Sequence, residues 1–241
     1  MPVPTLRDRR IVIIGGSSGI GYAVAECAVA EGARVVIGSS SADNVGAAVQ
    51  RLGQAASGEA VDVQDEASVA AFFAAIGAFD HLVYTAGDWG PGMAPSPLAQ
   101  MDIAAASKGL KVRFWGALLA IKHAQPHIAA DGSITLTDGL LAHRPRKGLP
   151  LATAFGGAVE HLVAGLAMDL APIRVNTVCP GLVRTERIAQ WPAELVSQMT
   201  GRLPLARPAD PAEVAQAYLY LMRAGYTTGQ VIIVDGGGML A

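Results

Sequence analysis

The sequence predicts a doubly wound α/β fold: one domain over residues 1–241, with a seven-stranded parallel sheet and helices on both faces. Three observations predict it. Short β-branched runs alternate with longer Ala-rich stretches of helical period, the pattern of successive β-α-β units around a parallel sheet. The first run, Arg10–Ile14, is apolar on both faces, as a strand buried in a parallel sheet must be. Hydrophobic residues make up 51% of the chain and charged residues 16%, enough for one large core; a chain of this size buries roughly 70–75% of its unfolded surface.

The elements then follow in order. Gly15 to Gly21 turns from the first strand into a helix reaching Ala30. Arg34–Gly38 is the second strand and Ala42–Leu52 the helix after it. Glu59–Val63 is read as a third, short strand, with a helix over Glu66–Ile76. His81–Tyr84 is the fourth strand, and one long helix is expected over Ala104–His127. Ser133–Thr137, a helix over Ala152–Leu170 and Arg174–Cys179 come next. Pro211 opens the last helix at its first position, where a missing N–H costs nothing, and Gln230–Asp235 closes the sheet. Two irregular stretches, Gly90–Pro97 and Arg184–Arg207, follow strand C-terminal ends, where open α/β sheets bind ligands.

Composition excludes several function classes. The formal charge is −2 and no basic run occurs, which argues against nucleic acid as a partner. Cys27 and Cys179 are too few for a disulfide framework and read as small buried residues. No Cys/His spacing suggests a metal. Ile11–Ile14 is too short for a signal segment or a membrane span. The expectation is a cytoplasmic protein working on a small molecule, away from membranes.

The strongest motif is Gly15-Gly16-Ser17-Ser18-Gly19-Ile20-Gly21, set between the first strand and the first helix. Glycines there permit a tight turn, bring helix close to sheet and let backbone approach a pyrophosphate facing the helix N-terminus. Gly15, Ser17, Ser18, Gly19, Ile20 and Gly21 are therefore candidate contacts to a dinucleotide, and the fold is of Rossmann type.

At this point the chain resembles the short-chain dehydrogenase/reductase family along nearly its whole length. Gly15, Gly19 and Gly21 match the family's glycine spacing. Asp62-Val63 is similar to its adenine-binding pair, and Ala86-Gly87 to the end of its Asn-Asn-Ala-Gly motif, with Tyr84-Thr85 in place of the asparagines. Pro180-Gly181-Leu182-Val183-Arg184-Thr185 resembles its Pro-Gly-x-Val-x-Thr segment; the resemblance implies that Val183 backbone and the Thr185 hydroxyl hold the nicotinamide carboxamide. Asp235-Gly236-Gly237 is similar to its C-terminal strand ending. The resemblance also implies a homotetramer, with the apolar last strand Val231–Val234 near a two-fold axis. At the end of the second strand, NAD-specific members carry an acidic residue. Ser39 and Ser40 stand here instead, with no carboxylate to repel a 2′-phosphate and hydroxyls able to donate to it, which favours NADP(H) over NAD(H).

The family's catalytic Ser, Tyr and Lys fall on Gly139, Ala152 and Gly156, so none is present. Without that proton donor, hydride transfer loses help usually worth about 10²–10⁴-fold. Three residues are candidates to replace it. Arg113, at the family's helix Asn position, offers fixed charge, or else a salt bridge. Asp138 and Thr137 end the strand beside the vacated Ser; Asp138 suits a base or a turn cap. His143, Arg144, Arg146 and Lys147 follow in a loop that suits an anionic substrate or plain solvation. Tyr84 is a proton donor or a core aromatic, and His161 is expected to point away. The three lost side chains should leave a widened pocket. The activity implied is hydride exchange between NAD(P)(H) and a small carbonyl or alcohol. The alternatives are a catalytically silent coenzyme binder, acting as sensor or assembly subunit, and a non-redox lyase or dehydratase.

Overall fold

The computed structural model describes residues 5–87, 95–106 and 110–241. Seven parallel strands form one sheet in the order β3-β2-β1-β4-β5-β6-β7. They are β1 Arg10–Ile14, β2 Arg34–Ser39, β3 Ala56–Ala60, β4 Phe79–Tyr84, β5 Ile128–Thr137, β6 Arg174–Pro180 and β7 Val231–Val234. The helices between them are α1 Gly19–Ala30, α2 Ala42–Leu52, α3 Glu66–Ile76, α4 Ile103–Ala106, α5 Ala117–Ala124, α6 Pro150–Asp169, α7 Ala193–Thr200 and α8 Pro211–Arg223.

Each face of the sheet has its own core. Val12, Ile14, Leu82, Tyr84, Ile134 and Val175 face α3, α5 and α6; Ile11, Ile13, Val83 and Val178 face α1 and α8. Period-2 alternation thus persists inside strands that read as continuously apolar, because both faces are covered. The caps follow local chemistry. Ser41 accepts from the Asn44 amide at 3.3 Å and Asp65 from the Ala67 amide at 3.1 Å. Asp210 and Glu213 form a reciprocal capping box around Pro211. From β1 the chain runs outward to β2 and β3, then returns to β4 on the other side. The switch point, where such sheets bind ligands, lies at the C-terminal ends of β1 and β4.

Three expectations are corrected. The third strand is Ala56–Ala60 rather than Glu59–Val63: the small residues Ala56, Ser57 and Gly58 pair with Val35, Val36 and Ile37, while Val61 and Val63 are buried beyond the strand. Among its described residues, the helix expected over Ala104–His127 is not α-helical throughout. Lys111–Gly116 is a widened π turn ahead of α5, and the Tyr84 hydroxyl donates to the Val112 carbonyl in it at 2.5 Å. Tyr84 is thereby a core aromatic. The stretch Arg184–Arg207 contains a 3₁₀ turn at Ile188–Gln190 and α7. The expected loop Gly90–Pro97 lies outside the described residues except for its end. Among the described residues α6 alone is long and apolar enough to cross a membrane by length and composition; its Ala152, Phe155, Gly156, Val159 and Val163 are buried in the domain.

Candidate active site

The glycine turn is built by close approach. Gly15 has φ +86°, and a Cβ there would lie 2.5 Å from the Ala86 amide. A Cβ on Gly21 would press on the Gly15 carbonyl, so only glycine lets α1 start this close to β1. The Gly15 amide donates to the Gly38 carbonyl at 2.7 Å, and the Thr85 hydroxyl sits 3.2 Å from the carbonyls of both Ile14 and Gly15. The turn after β1 and Ala86-Gly87 after β4 therefore form one wall of the crevice. Ser18 precedes α1 in extended conformation without capping it through its side chain, which leaves the first amides of α1 for an anion. Ile20 anchors the turn from beneath, packed on the core between the sheet and α8.

One of those amides already has a partner. The Gly19 N–H donates to the Glu186 carboxylate at 3.0 Å. Glu186 adjoins Thr185, whose methyl would stand 3.2 Å from a Cβ on Gly19. Two segments read separately as coenzyme contacts, Gly15–Gly21 and Pro180–Thr185, thus meet across the crevice. Gly181 lies so near Asp235 that a Cβ would come within 2.9 Å of its Cα, and its amide donates to the Val234 carbonyl at 2.9 Å. Val183 is buried and pairs with Ala209.

The outer end of the crevice carries the other sequence-predicted contacts. The Ser17 hydroxyl donates to that of Ser39 at 3.0 Å, and Ser40 is exposed beside them. Asp62 accepts from the Gln64 amide at 2.9 Å just past β3, and Val63 is buried beneath it. A cradle that admits almost no Cβ, a helix N-terminus not capped by its own Ser18 side chain and a hydroxyl pair at the end of β2 fit an NAD(P)-type coenzyme.

The inner end differs in kind. The Arg113 guanidinium packs on Gly87, where a Cβ would lie 2.5 Å from its Nη2, and donates to the Asp138 carbonyl at 3.3 Å. A fixed cation thus spans the C-terminal ends of β4 and β5. Thr137 is otherwise engaged: its hydroxyl bonds the Tyr84 carbonyl at 2.9 Å and the Tyr218 hydroxyl at 2.7 Å, tying β5 to β4 and α8. Around Gly139 a Cβ would meet nothing within 4 Å, so that vacated position is open as expected. Gly156 corrects the expectation of a pocket widened three times over. A Cβ there would lie 2.7 Å from that of Ala142, because the 3₁₀ turn Leu140–Ala142 has moved onto α6 and filled the place of the lost side chain.

Asp138 is 3% exposed, and its buried carboxyl faces Glu160 and Cys179. Its ligand atom lies within 4.8 Å of those of His143, Glu160 and Cys179. Burial first, and then the facing Glu160, raise the Asp138 carboxyl well above its ordinary range. Burial and Asp138 likewise push the Cys179 thiol up. His143 Nε2 sits 2.6 Å from Glu160 Oε1. His143 is thus bound into this group rather than simply solvated, while Arg146 and Lys147 are exposed. His161 points outward and bonds its own helix at the Gly157 carbonyl, 2.9 Å away.

Sequence reasoning passed over Glu160 and Glu186. Glu160 stands four residues beyond Gly156, on the same face of α6, which was the available signal. Glu186 carried none, since its partner is a backbone amide 167 residues away.

Comparison with known proteins agrees with this geometry. A family model described as Enoyl-(Acyl carrier protein) reductase matches residues 15–238. The short-chain dehydrogenase/reductase ucsE of Acremonium sp is 36% identical, over 98% of this chain and 97% of that protein. The cis-4-hydroxycyclohexanecarboxylate dehydrogenase of Sinomonas cyclohexanicum is also 36% identical, over 95% of this chain and 96% of its own. Among solved structures, a small-chain dehydrogenase in complex with NADPH superposes with a TM-score of 0.83 at 34% identity, covering 97% of this chain and all of that one.

Proposed function

We propose, from the premise that the chain belongs to the short-chain dehydrogenase/reductase family and is an oxidoreductase, that it exchanges a hydride between NADP(H) and a small cyclic ketone or alcohol through a rebuilt proton-donor site. Bound coenzyme supplies the hydride; the rest falls to the protein. Gly15, Ser17, Ser18, Gly19, Ile20 and Gly21 hold the pyrophosphate and adenosine side, with Asp62-Val63 at the adenine and Ser17, Ser39 and Ser40 at a 2′-phosphate. Ala86, Gly87, Pro180, Gly181, Val183 and Thr185 seat the nicotinamide.

One observation carries the chemistry: the Arg113 guanidinium is fixed on Gly87 and the Asp138 carbonyl, at the ends of the two strands beside the switch point. A preorganised cation there stabilises the oxyanion that forms as a carbonyl is reduced. Asp138, protonated at neutral pH, stores the proton that the product alcohol needs. Thr137 holds β5 in place and is left out of the chemistry. The ring alcohol in the name of the Sinomonas relative directs the choice of substrate. The exposed Tyr220, Tyr226 and Ile233 around β7 fit burial between subunits of a homotetramer.

The test is oxidation of NADPH and of NADH against a panel of substituted cyclohexanones, quinones and open-chain ketones. Turnover with at least one ring ketone, and with NADPH preferred, is expected. Tight NADPH binding without turnover of any carbonyl or alcohol would give the site to a silent binder.

A further inference from the structure

Four side chains from four separate segments converge behind the end of β5: Asp138 from the strand end, His143 from the turn after it, Glu160 from α6 and Cys179 from β6. Their exposure is graded. Asp138 is 3% exposed, the Glu160 side chain 12% and that of His143 27%. The three oxygen and nitrogen groups thus form a file from core to solvent. Two chemistries suit such a set, a metal ion or a proton. A tetrahedral zinc site holds its nitrogen and oxygen ligands about 2.0–2.2 Å from the ion, which sets them about 3.3 Å apart. His143 Nε2 and Glu160 Oε1 are 2.6 Å apart, a hydrogen-bond length. The contact as it stands is a hydrogen bond, through which a proton can pass.

We infer that Glu160 and His143 carry protons from solvent to Asp138, which makes them positioning residues for the proton used at the substrate oxygen. This rests on the reading of Asp138 as the proton store. The balance is simple. For each hydride added to the carbonyl carbon, one O–H bond forms at the substrate oxygen and one breaks at Asp138. The Asp138 carboxylate then regains its proton through Glu160, the His143 Nε2–H replaces that proton, water protonates His143 at Nδ1, and the imidazole turns over to bring an N–H back to Glu160. Alcohol oxidation runs the file backwards. Gly139 leaves open space beside the strand end, while both Asp138 carboxyl oxygens are buried, so the transfer requires the strand end to open to the substrate oxygen or to a bridging water. The other titratable or charged groups around Asp138 are Cys179 on β6, Arg113 on the π turn and Tyr218 on α8. Burial raises the thiol and the phenol, so neither gives up a proton at neutral pH, and guanidinium does not titrate.

Infrared difference spectra of the coenzyme-free protein test the file without turnover. A protonated-carboxyl band at neutral pH should vanish in Asp138→Asn and shift in frequency in Glu160→Gln. In turnover, Glu160→Gln and His143→Gln should each lower the steady-state rate by about tenfold or more, the low end for a lost proton-transfer partner. KM should stay put, the solvent isotope effect should rise, and small buffer acids should restore part of the rate. The first turnover after mixing should slow less than the steady state. His143→Gln, on a surface turn, covers the case in which the α6 variant fails to fold. If Asp138→Asn leaves the first turnover intact, the proton-store reading itself fails. If Asp138→Asn stops turnover while both other variants keep the wild-type rate and isotope effect, the file alone is wrong. Stoichiometric Zn²⁺ or Co²⁺ uptake that is lost in Cys179→Ser would overturn it in favour of a metal.

Discussion

The two ends of the crevice are held together by different means. At the coenzyme end the contacts run between backbone and backbone: Gly15 against Ala86, Gly21 against the Gly15 carbonyl, Gly181 against Asp235. At the reaction end they run between side chains: Arg113 over Gly87, Glu160 towards Asp138, His143 onto Glu160. Backbone contacts need glycine at fixed spacing and tolerate almost nothing else. Side-chain contacts can be rebuilt with other residues, as the proposed proton-donor site requires. The difference teaches why binding features can persist in a chain that has Gly139, Ala152 and Gly156 where the family resemblance implies Ser, Tyr and Lys.

The comparison is broken most severely at Gly21. Gly21→Val puts a branched side chain into the Gly15 carbonyl, so α1 must move off β1. Coenzyme binding should fall below detection in calorimetric titration. Overpacking of this kind should cost about 3 kcal/mol, lowering the melting temperature by about 6–12 °C. A stable variant that binds NADPH normally would show that the turn is less constrained than its contacts indicate.

Arg113→Ala comes next and probes the other end. Loss of one preorganised donor at an oxyanion typically lowers turnover by about 10²–10³-fold. Coenzyme affinity should change little, since the glycine cradle is untouched. Equal loss of affinity and turnover would mean that Arg113 holds Gly87 in place rather than stabilising charge.

The same contrast explains how much was legible in the sequence. The glycine turn and the Pro180–Thr185 segment could be read because glycine and proline spacing reports backbone geometry directly. Val61 and Val63 misplaced the third strand because they are buried after it rather than in it. The π turn at Lys111–Gly116 was invisible because it accompanies the hydroxyl of Tyr84, 28 residues from Val112. Gly156 looked like a vacancy, and Ala142 had filled it from outside the helix. Asp138 was legible as a strand-end carboxyl, but not the proton it keeps, which depends on burial and on Glu160.

Asp138 also separates the two ends by pH. Its folded carboxyl titrates above its unfolded value, so its stabilising contribution is complete below the ordinary carboxylate range and is lost as pH rises towards the folded value. Asp138→Asn should remove that slope, leaving the variant relatively more stable than wild type at pH 8 than at pH 4. Urea midpoints at several pH values measure it. Gly21→Val should leave the Asp138 slope as it is, because Gly21 packs on the Gly15 carbonyl and Thr85 and not on Asp138. Parallel curves for wild type and Asp138→Asn would place the carboxyl in water.

Coenzyme choice is a smaller effect at the outer end. Ser39→Asp puts a carboxylate beside Ser17, 3.0 Å from the present hydroxyl. It should repel a 2′-phosphate and accept from a ribose hydroxyl, shifting the NADPH-to-NADH affinity ratio about tenfold towards NADH, worth about 1.4 kcal/mol. An unchanged ratio would move the 2′-phosphate site away from Ser39.

The smallest expected effect lies where the two ends meet. Glu186 accepts the Gly19 amide proton at 3.0 Å, the kind of donor a pyrophosphate takes at a helix N-terminus. Its carboxylate must leave before the coenzyme binds, and its charge opposes the phosphates while it stays. Both costs vanish in Glu186→Ala. A charge-assisted hydrogen bond in partial solvent is worth about 1 kcal/mol net, so NADPH affinity should rise about fivefold. The gain should shrink as salt rises from 0.05 to 0.5 M, on the order of the screening expected for exposed charges. Coenzyme fragments sharpen the reading: 2′-phosphoadenosine, which lacks the pyrophosphate, should gain less than NADPH. An affinity that falls in Glu186→Ala would mean that the carboxylate orders the Pro180–Thr185 segment for the coenzyme, and that the two walls of the crevice are held together by the bond that NADPH was expected to displace.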